Sequence, residues 1–322
     1  MIKYLYRHDK DYSRYNIIKQ LLENVEFPNE IYILLPFSKN YFFKNYFLRY
    51  RLVNDFFISN FDTYVYDRKK ISKYNPRAWW KFLQDFVNFR FSKYLLSDTY
   101  AHFLYWESLF GAYRGQHFIL PVLADKSIYY PSKILLEHEK VKILFYGSFI
   151  PLHGIEVILD AFKILEEDNI PFEAKIIGNG QTYKQMKKKY DDLALCNVEM
   201  NGEFLDEKIL ADEIRNTDIV LGVFGKSKKA GSVVANKVYQ ALASKKALIT
   251  MKSVAIDEFF SKDDLIQCDN NNKSVAEALK ELILNREMRE NLGIKGYNRF
   301  IQLYDKTKIE FEEFLSKVGC IE

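Results

Sequence analysis

From Val141 onward, short, mainly apolar runs alternate with segments whose apolar residues recur every three or four positions. Residues 141–145 form one such run, ended by Gly147; that length and that boundary predict a strand buried on both faces. After the loop Ile150-Pro151-Leu152-His153-Gly154, residues 155–165 carry apolar side chains at helical spacing. Residues 172–177, 218–224 and 247–251 repeat the strand pattern, and helices are predicted in the Lys-rich stretch after Gly180, over 233–243 and over 274–284. Strands alternating with helices predict a parallel sheet covered on both faces, an α/β doubly wound domain.

Earlier in the chain the pattern is less regular. Residues 2–6, 30–35, 94–97 and 117–121 predict strands, and 12–23 and 99–110 predict helices, the second with Asp98 at its N-cap. The class is again α/β. Composition separates the two parts more sharply than periodicity does. Of the 52 Phe, Tyr and Trp residues, 35 lie in residues 1–135, together with 20 Lys/Arg against 12 Asp/Glu. Eleven of the thirteen glycines lie after that point. A basic, aromatic first part and an acidic, glycine-bearing second part predict two domains with different tasks. The boundaries expected are 1–135 and 136–302, with the join near Pro131-Ser132-Lys133, followed by a terminal segment, 303–322.

A chain of 322 residues suits two domains, and 48% hydrophobic with 28% charged residues is the balance of a globular protein. No apolar run nears the ~18 residues of a membrane span. Residues 1–10 lack the apolar centre of a secretory leader. Cys196, Cys268 and Cys320 are odd in number and widely spaced, which argues against a disulfide framework or a zinc site. The expectation is a cytoplasmic, metal-free protein, peripheral on the inner face of the plasma membrane.

In doubly wound sheets, ligands bind beyond the carboxyl ends of the strands, where helix N-termini present free N–H groups. Three loops qualify: Gly147-Ser148, Gly178-Asn179-Gly180, and residues 226–232, which hold Lys226, Gly231 and Ser232 and precede Asn236 and Lys237. Glycines admit an anion close to the backbone and lysines add charge, so a diphosphate is the natural guest. The plain alternatives are turn geometry for the glycines, a solvated face for the lysines, and a helix N-cap for Ser232. Neither G-x-G-x-x-G nor the Walker phosphate loop occurs, which disfavours ordinary dinucleotide and ATP binding.

Taken in order, these pieces resemble glycosyltransferase family 4. The donor-domain opening is matched by Phe145-Tyr146-Gly147-Ser148-Phe149 and Pro151-Leu152-His153-Gly154-Ile155-Glu156. Ile176-Ile177-Gly178-Asn179-Gly180, Asn201-Gly202, Thr217-Asp218-Ile219-Val220-Leu221 and Asn236-Lys237-Val238-Tyr239-Gln240-Ala241-Leu242-Ala243 follow in the family's order. Residues 285–293 resemble its closing helices. Asp67-Arg68 and Ser97-Asp98-Thr99-Tyr100-Ala101-His102 look like an acceptor-side pattern. The resemblance implies a GT-B fold, two Rossmann-like domains facing across a cleft, and a UDP- or GDP-sugar donor used as substrate with no cofactor or metal. It also implies retention of configuration, an acceptor-side domain over 1–135, a donor-binding domain over 136–302, and a C-terminal helix within 303–322 that packs back on the first domain.

The chain departs from that pattern where the family holds its charges. The two donor-loop glutamates are replaced by Ser232 and Gln240, the Arg after Gly147 by Ser148, and the Lys before Gly154 by His153. Lys245 and Ala247 stand where Gly and Pro are usual. Gln240 can still hydrogen-bond ribose hydroxyls, and Ser232 can bind phosphate at a helix N-terminus. A leaving diphosphate needs its developing charge stabilised, so Lys237, with Lys226 or Lys229 and His153, would replace the lost cations; exposed or packed positions are the alternatives. On the acceptor side His102 follows Asp98 by one helical turn. It would orient the acceptor or help its proton leave, or else Asp98 is a cap and His102 a packed residue.

Residues 41–51, Tyr-Phe-Phe-Lys-Asn-Tyr-Phe-Leu-Arg-Tyr-Arg, interleave rings with cations. Such a helix suits an anionic membrane surface or an aromatic-rich core with outward-reaching cations; a nucleic-acid partner is disfavoured by the net charge of only +4. The function expected is transfer of a sugar to a glycan or lipid-linked acceptor in bacterial capsule, lipopolysaccharide or other surface-polysaccharide synthesis. The alternative is a catalytically silent subunit that binds a glycan or a partner enzyme.

Overall fold

A computed structural model describes residues 1–6, 13–132 and 138–319. Residues 133–137, where part of the expected join falls, lie outside this set, as does Cys320. The chain divides into two compact units, Met1–Val122 with Ser232–Val234 and Tyr304–Glu322, and Leu123–Gly231 with Ala235–Leu303. The division comes at Leu123, ahead of the change in composition, because Tyr129 is tied by hydrogen bonding to Gln240 of the second unit.

The first unit holds five parallel strands, β1 (Ile2–Leu5), β2 (Ile31–Leu34), β3 (Leu52–Asp55), β4 (Tyr94–Ser97) and β5 (Gln116–Ile119), arranged in sequential order. Their aromatic surroundings form the core: Phe56, Phe89, Phe103, Trp106 and Phe110 pack around Leu95. The long helix Arg286–Ser316 ends in this unit, with Phe311 stacked on Phe118 at 5.5 Å and Phe314 edge-on to Tyr94 at 6.1 Å.

The second unit holds six parallel strands: β6 (Val141–Tyr146), β7 (Phe172–Ile177), β8 (Val198–Asn201), β9 (Ile219–Leu221), β10 (Ala247–Met251) and β11 (Ile266–Cys268). Their order is β11-β10-β9-β6-β7-β8. The chain therefore steps outward from β6 through β7 and β8, then returns to the other side of β6 with β9. That reversal is the switch point at which open α/β sheets hold ligands. The helix Ile155–Glu167 shows how the sequence produces this unit. Ile155, Ile158, Leu159, Phe162 and Leu165 fall on one face and are buried, and Gly154 at φ +63° turns the chain into its first turn.

Several local expectations are corrected. The helix Tyr100–Phe110 is capped by Thr99, whose Oγ1 accepts from the His102 N–H at 2.9 Å, and not by Asp98. Residues 233–243 are not one helix: a short helix, Lys228–Ser232, precedes Asn236–Ala243, whose N-cap is Ala235. Ser232 thus ends a helix, and cannot present an N-terminal N–H to a phosphate. Residues 41–51 do not form a continuous helix; one turn, Asn40–Lys44, gives way to a 3-10 turn, Tyr46–Leu48. Among the described residues, no helix is long and apolar enough to cross a membrane.

Candidate functional site

The site is built from three loops at the carboxyl ends of β6, β7 and β9. They are stitched together by backbone: the Gly147 N–H donates to the Ile177 carbonyl at 2.9 Å, Phe149 N–H to Asn179 at 2.8 Å, and Phe224 N–H to His153 at 3.0 Å. The glycines exist for this contact. A Cβ on Gly178 would lie 2.0 Å from the Gly147 carbonyl oxygen, and one on Gly154 would lie 2.1 Å from that of Phe224. Gly178 sits at φ +136° besides. The expectation that glycine admits an anion is thereby corrected at Gly178, where glycine admits a neighbouring loop. Asn179 serves the same end, its Nδ2 donating to the Gly202 carbonyl and its Oδ1 accepting from the Gly180 N–H, both at 2.7 Å.

Gly147 behaves differently. The space beside its Cα is occupied by side chains, with His153 Cε1 3.0 Å and Lys237 Nζ 3.5 Å from a notional Cβ. Lys237 rises from the first turn of the helix Asn236–Ala243 and is only 4% exposed. Its Nζ lies 3.7 Å from the centroid of the Phe145 ring and makes no hydrogen bond. Burial drives its pKa well below the usual lysine value. His153, edge-on to the same ring at 5.7 Å, leaves its Nδ1 without a hydrogen-bond partner. Its pKa is pushed well below 6.5, first by burial and then by the Lys237 charge, against a smaller upward pull from the Ser148 backbone.

Two basic groups thus converge on Gly147 at the switch point with no carboxylate between them. An ammonium out of water and without a partner is costly, and the face of one Phe ring recovers only part of that cost. An anion would complete the arrangement, because it would restore the charge on both groups and satisfy their N–H donors. The residues suit a phosphate better than a metal ion. Among the described residues, no group of three His, Cys, Asp or Glu side chains is placed to hold a metal.

The other expected donor contacts are not gathered here. Gln240 is buried, its Nε2 donating to Tyr129 Oη at 2.8 Å and its Oε1 accepting from Tyr146 Oη at 2.7 Å. These tyrosines occupy one hydrogen-bonding position at each end of the amide that was expected to meet a ribose. Ser148 is half-buried beside Gly147, while Lys226 and Asn236 are exposed. No side chain or backbone atom lies within 4 Å of a Cβ on Gly231. Ser232 belongs with the first unit, where its carbonyl accepts from Thr99 Oγ1 at 2.6 Å. Phe145, Tyr129 and Tyr146 were not anticipated, since apolar runs and tyrosines in them read simply as strand and core.

The first unit holds a second polar pair. His102 Nδ1 and Asp98 Oδ1 are 2.6 Å apart, both side chains buried. The His102 ring lies against Trp106, with centroids 4.1 Å apart, and its Nε2 has no hydrogen-bond partner. A carboxylate on Nδ1 fixes that nitrogen as the donor and leaves the Nε2 lone pair as the basic site. Asp67 is buried at the end of the π-helical turn Thr63–Asp67.

Comparison with known proteins bears on the family and the fold. Residues 130–299 match the family described as glycosyl transferases group 1. An uncharacterized glycosyltransferase of Methanocaldococcus jannaschii is 28% identical over 155 residues, 48% of this chain and 41% of its own length. The chain thus spans less than half of that curated relative. Among solved structures, sucrose-phosphate synthase from Thermosynechococcus elongatus superposes with a TM-score of 0.69 at 12% identity, covering 96% of this chain and 78% of that one. Anabaena HepE in complex with UDP and glucose superposes at 0.66 and 11%, covering 93% and 80%. TarM of S. aureus does so at 0.64 and 14%, covering 94% and 58%. At these identities the likeness shows the fold, two parallel-sheet α/β domains of the GT-B kind, as the sequence led us to expect.

Proposed function

We propose, from the premise that the chain belongs to the glycosyl transferases group 1 family, that it moves a sugar from a nucleotide-diphosphate donor to a glycan or lipid-linked acceptor. The observation that carries this reading is the convergence at the switch point of two basic groups, Lys237 Nζ and His153 Nδ1, each without a hydrogen-bond partner. In such a transfer the bond from the anomeric carbon to the diphosphate breaks and a bond to the acceptor oxygen forms. Negative charge grows on the departing diphosphate. Lys237 and His153, recharged by that phosphate, hold it in a water-poor setting where each interaction is strong. The acceptor proton passes to the leaving phosphate; in the first unit, His102, whose ring Asp98 holds in place, is the candidate to orient an acceptor. Transfer with retention of configuration, a UDP or GDP base, independence of metal and a role in bacterial surface-polysaccharide synthesis complete the reading. HepE, solved with UDP and glucose, supports the choice of UDP as first candidate. A lipid-linked acceptor fits the exposed rings and cations of residues 41–51, which suit a membrane face.

The test is a thermal-shift screen against UDP, GDP, CMP and their common sugar conjugates, since a ligand that binds only the folded state raises the midpoint by mass action. A shift with one nucleotide, lost in Lys237→Ala, is expected; no shift with any of them at saturating ligand overturns the donor site. The substitutions at Ser148, His153 and Ser232 and the engaged amide of Gln240 favour one second reading, a silent sugar-binding subunit. Slow hydrolysis of the shifting nucleotide sugar speaks for the enzyme, and binding without turnover speaks for the subunit.

A further inference from the structure

The most unusual surface of the first unit is the helix Pro76–Phe91 and the loop leading into it. The helix turns Ala78, Asp85, Asn88 and Phe89 inward. Trp79 and Trp80, on the opposite side, are 64% and 65% exposed, with Leu83 one turn further on and also exposed. Two adjacent tryptophans in water are a large exposed apolar surface, of which, among the described residues, only the Trp79 ring meets another, that of Phe82 edge-on at 6.2 Å. Between Arg68 and Gln84 the chain carries six Lys/Arg and no Asp or Glu, and Tyr74 stands exposed among them. Residues 41–51 run alongside: Gln84 donates to Asn40 Oδ1, and Asn88 Nδ2 to the Lys39 carbonyl at 3.2 Å. They add the exposed rings of Phe43 and Phe47.

We infer that this face, led by Trp79 and Trp80, seats the protein on the headgroup layer of an anionic bilayer. Indole rings favour the depth at which apolar tail and polar headgroup meet, and the surrounding cations gain from anionic lipid. The charge favours this occupant over a second copy of the chain, whose identical face would set six cations against six. Docking here needs neither helical amphipathicity in residues 41–51 nor a membrane span. It gives the lipid-linked acceptor reading a place on the molecule, but it rests on the surface itself and stands or falls without transfer activity.

The test uses the purified full chain and vesicles of phosphatidylcholine with and without phosphatidylglycerol. Of the three tryptophans, Trp106 is fully buried, so the emission of Trp79 and Trp80 reports their surroundings. The chain is expected to float with the anionic vesicles, to be released by salt, and to show a blue shift in emission on binding. Trp79→Ser with Trp80→Ser is expected to weaken binding by roughly tenfold or more, while the midpoint of unfolding and the nucleotide-induced shift stay unchanged. Phe43→Ser with Phe47→Ser is expected to weaken it less. No flotation at low salt, or undiminished flotation of the tryptophan variant, overturns the inference. So does concentration-dependent self-association that the tryptophan variant abolishes while vesicles bind neither protein, because the face then belongs to a second copy. Vesicle binding without any nucleotide shift leaves this inference standing and removes the donor-site reading instead.

Discussion

Among the described residues three lysines are buried, and two of them, each against the face of a phenylalanine, are treated differently. Lys39, in the first unit, lies 3.9 Å from the Phe56 ring centroid and is ion-paired with Asp85, whose other oxygen accepts from Ser59 Oγ and the Phe61 N–H, both at 2.7 Å. Lys237, in the second unit, lies 3.7 Å from the Phe145 ring and makes no hydrogen bond. The first unit also encloses Arg14, bonded to both oxygens of Asp55 and to the carbonyls of Leu120 and Pro121. Where a buried cation is part of the architecture, the fold supplies its anion. At Lys237 the fold supplies no anion, and under the proposed function a ligand phosphate would supply it.

The sharpest way to break this contrast is to remove the carboxylate from one lysine and the ammonium from the other. Asp85→Ala leaves Lys39 buried and unpaired, and is expected to destabilise the protein by about 3–5 kcal/mol. Lys237→Met removes an unpaired group of similar length, so without ligand its unfolding midpoint is expected to stay the same or rise. Denaturant unfolding of the two variants checks both signs. A large loss of stability in Lys237→Met would mean that its ammonium is structural.

Acid titration sharpens the same contrast. His117 in the first unit lies 2.6 Å from Ser97 Oγ and stacks on Phe103, and burial lowers its pKa to about 4. Its folded pKa is below its unfolded value, so the unfolded chain binds the proton more readily. Stability is therefore full above pH 6.5 and falls as pH drops toward 4, by about 3 kcal/mol. His117→Gln should remove about that part of the acid slope. His153, whose pKa burial also lowers, adds to the slope in the free protein, and a bound phosphate should suppress its share. A smaller effect, about 2 kcal/mol, is expected from Gly178→Ala, which forces a Cβ against the Gly147 carbonyl at a strained φ. Gly231→Ala meets no such obstacle and should change the unfolding midpoint little.

Much of the second unit was legible in the sequence, because its strands are mainly apolar: β10 is buried throughout, and only Glu173 and Lys175 of β7 face outward. Residues 172–177 and 247–251 read directly as strands, and β7 and β10 occupy those positions. In the first unit β3 was not visible, since Leu52-Val53-Asn54-Asp55 ends in polar residues that only tertiary partners, Asn88 and Arg14, make buriable. The helix Pro76–Phe91 was hidden for the opposite reason, with rings on its solvent side as well as its core side. Of the site, Lys237 and His153 could be nominated from their place in the loops. That they share the Phe145 ring, and that Gln240 is held by a tyrosine 111 residues away, depends on sheet order. Local sequence does not encode it.

The most direct test of the central claim is calorimetric titration of UDP into the wild-type protein and Lys237→Met, in buffers of differing ionisation enthalpy across a range of pH. Phosphate raises the pKa of both Lys237 and His153 from their depressed values, so the bound state holds more protons than the free one. The account predicts proton uptake on binding and affinity that falls as pH rises from the acid side of 6.5, where His153 in the free protein has already lost its proton. It predicts a loss of about 10–100-fold in Lys237→Met, the size expected for a charge-assisted hydrogen bond. Equal affinity in the two proteins, with no proton uptake in either, would contradict it.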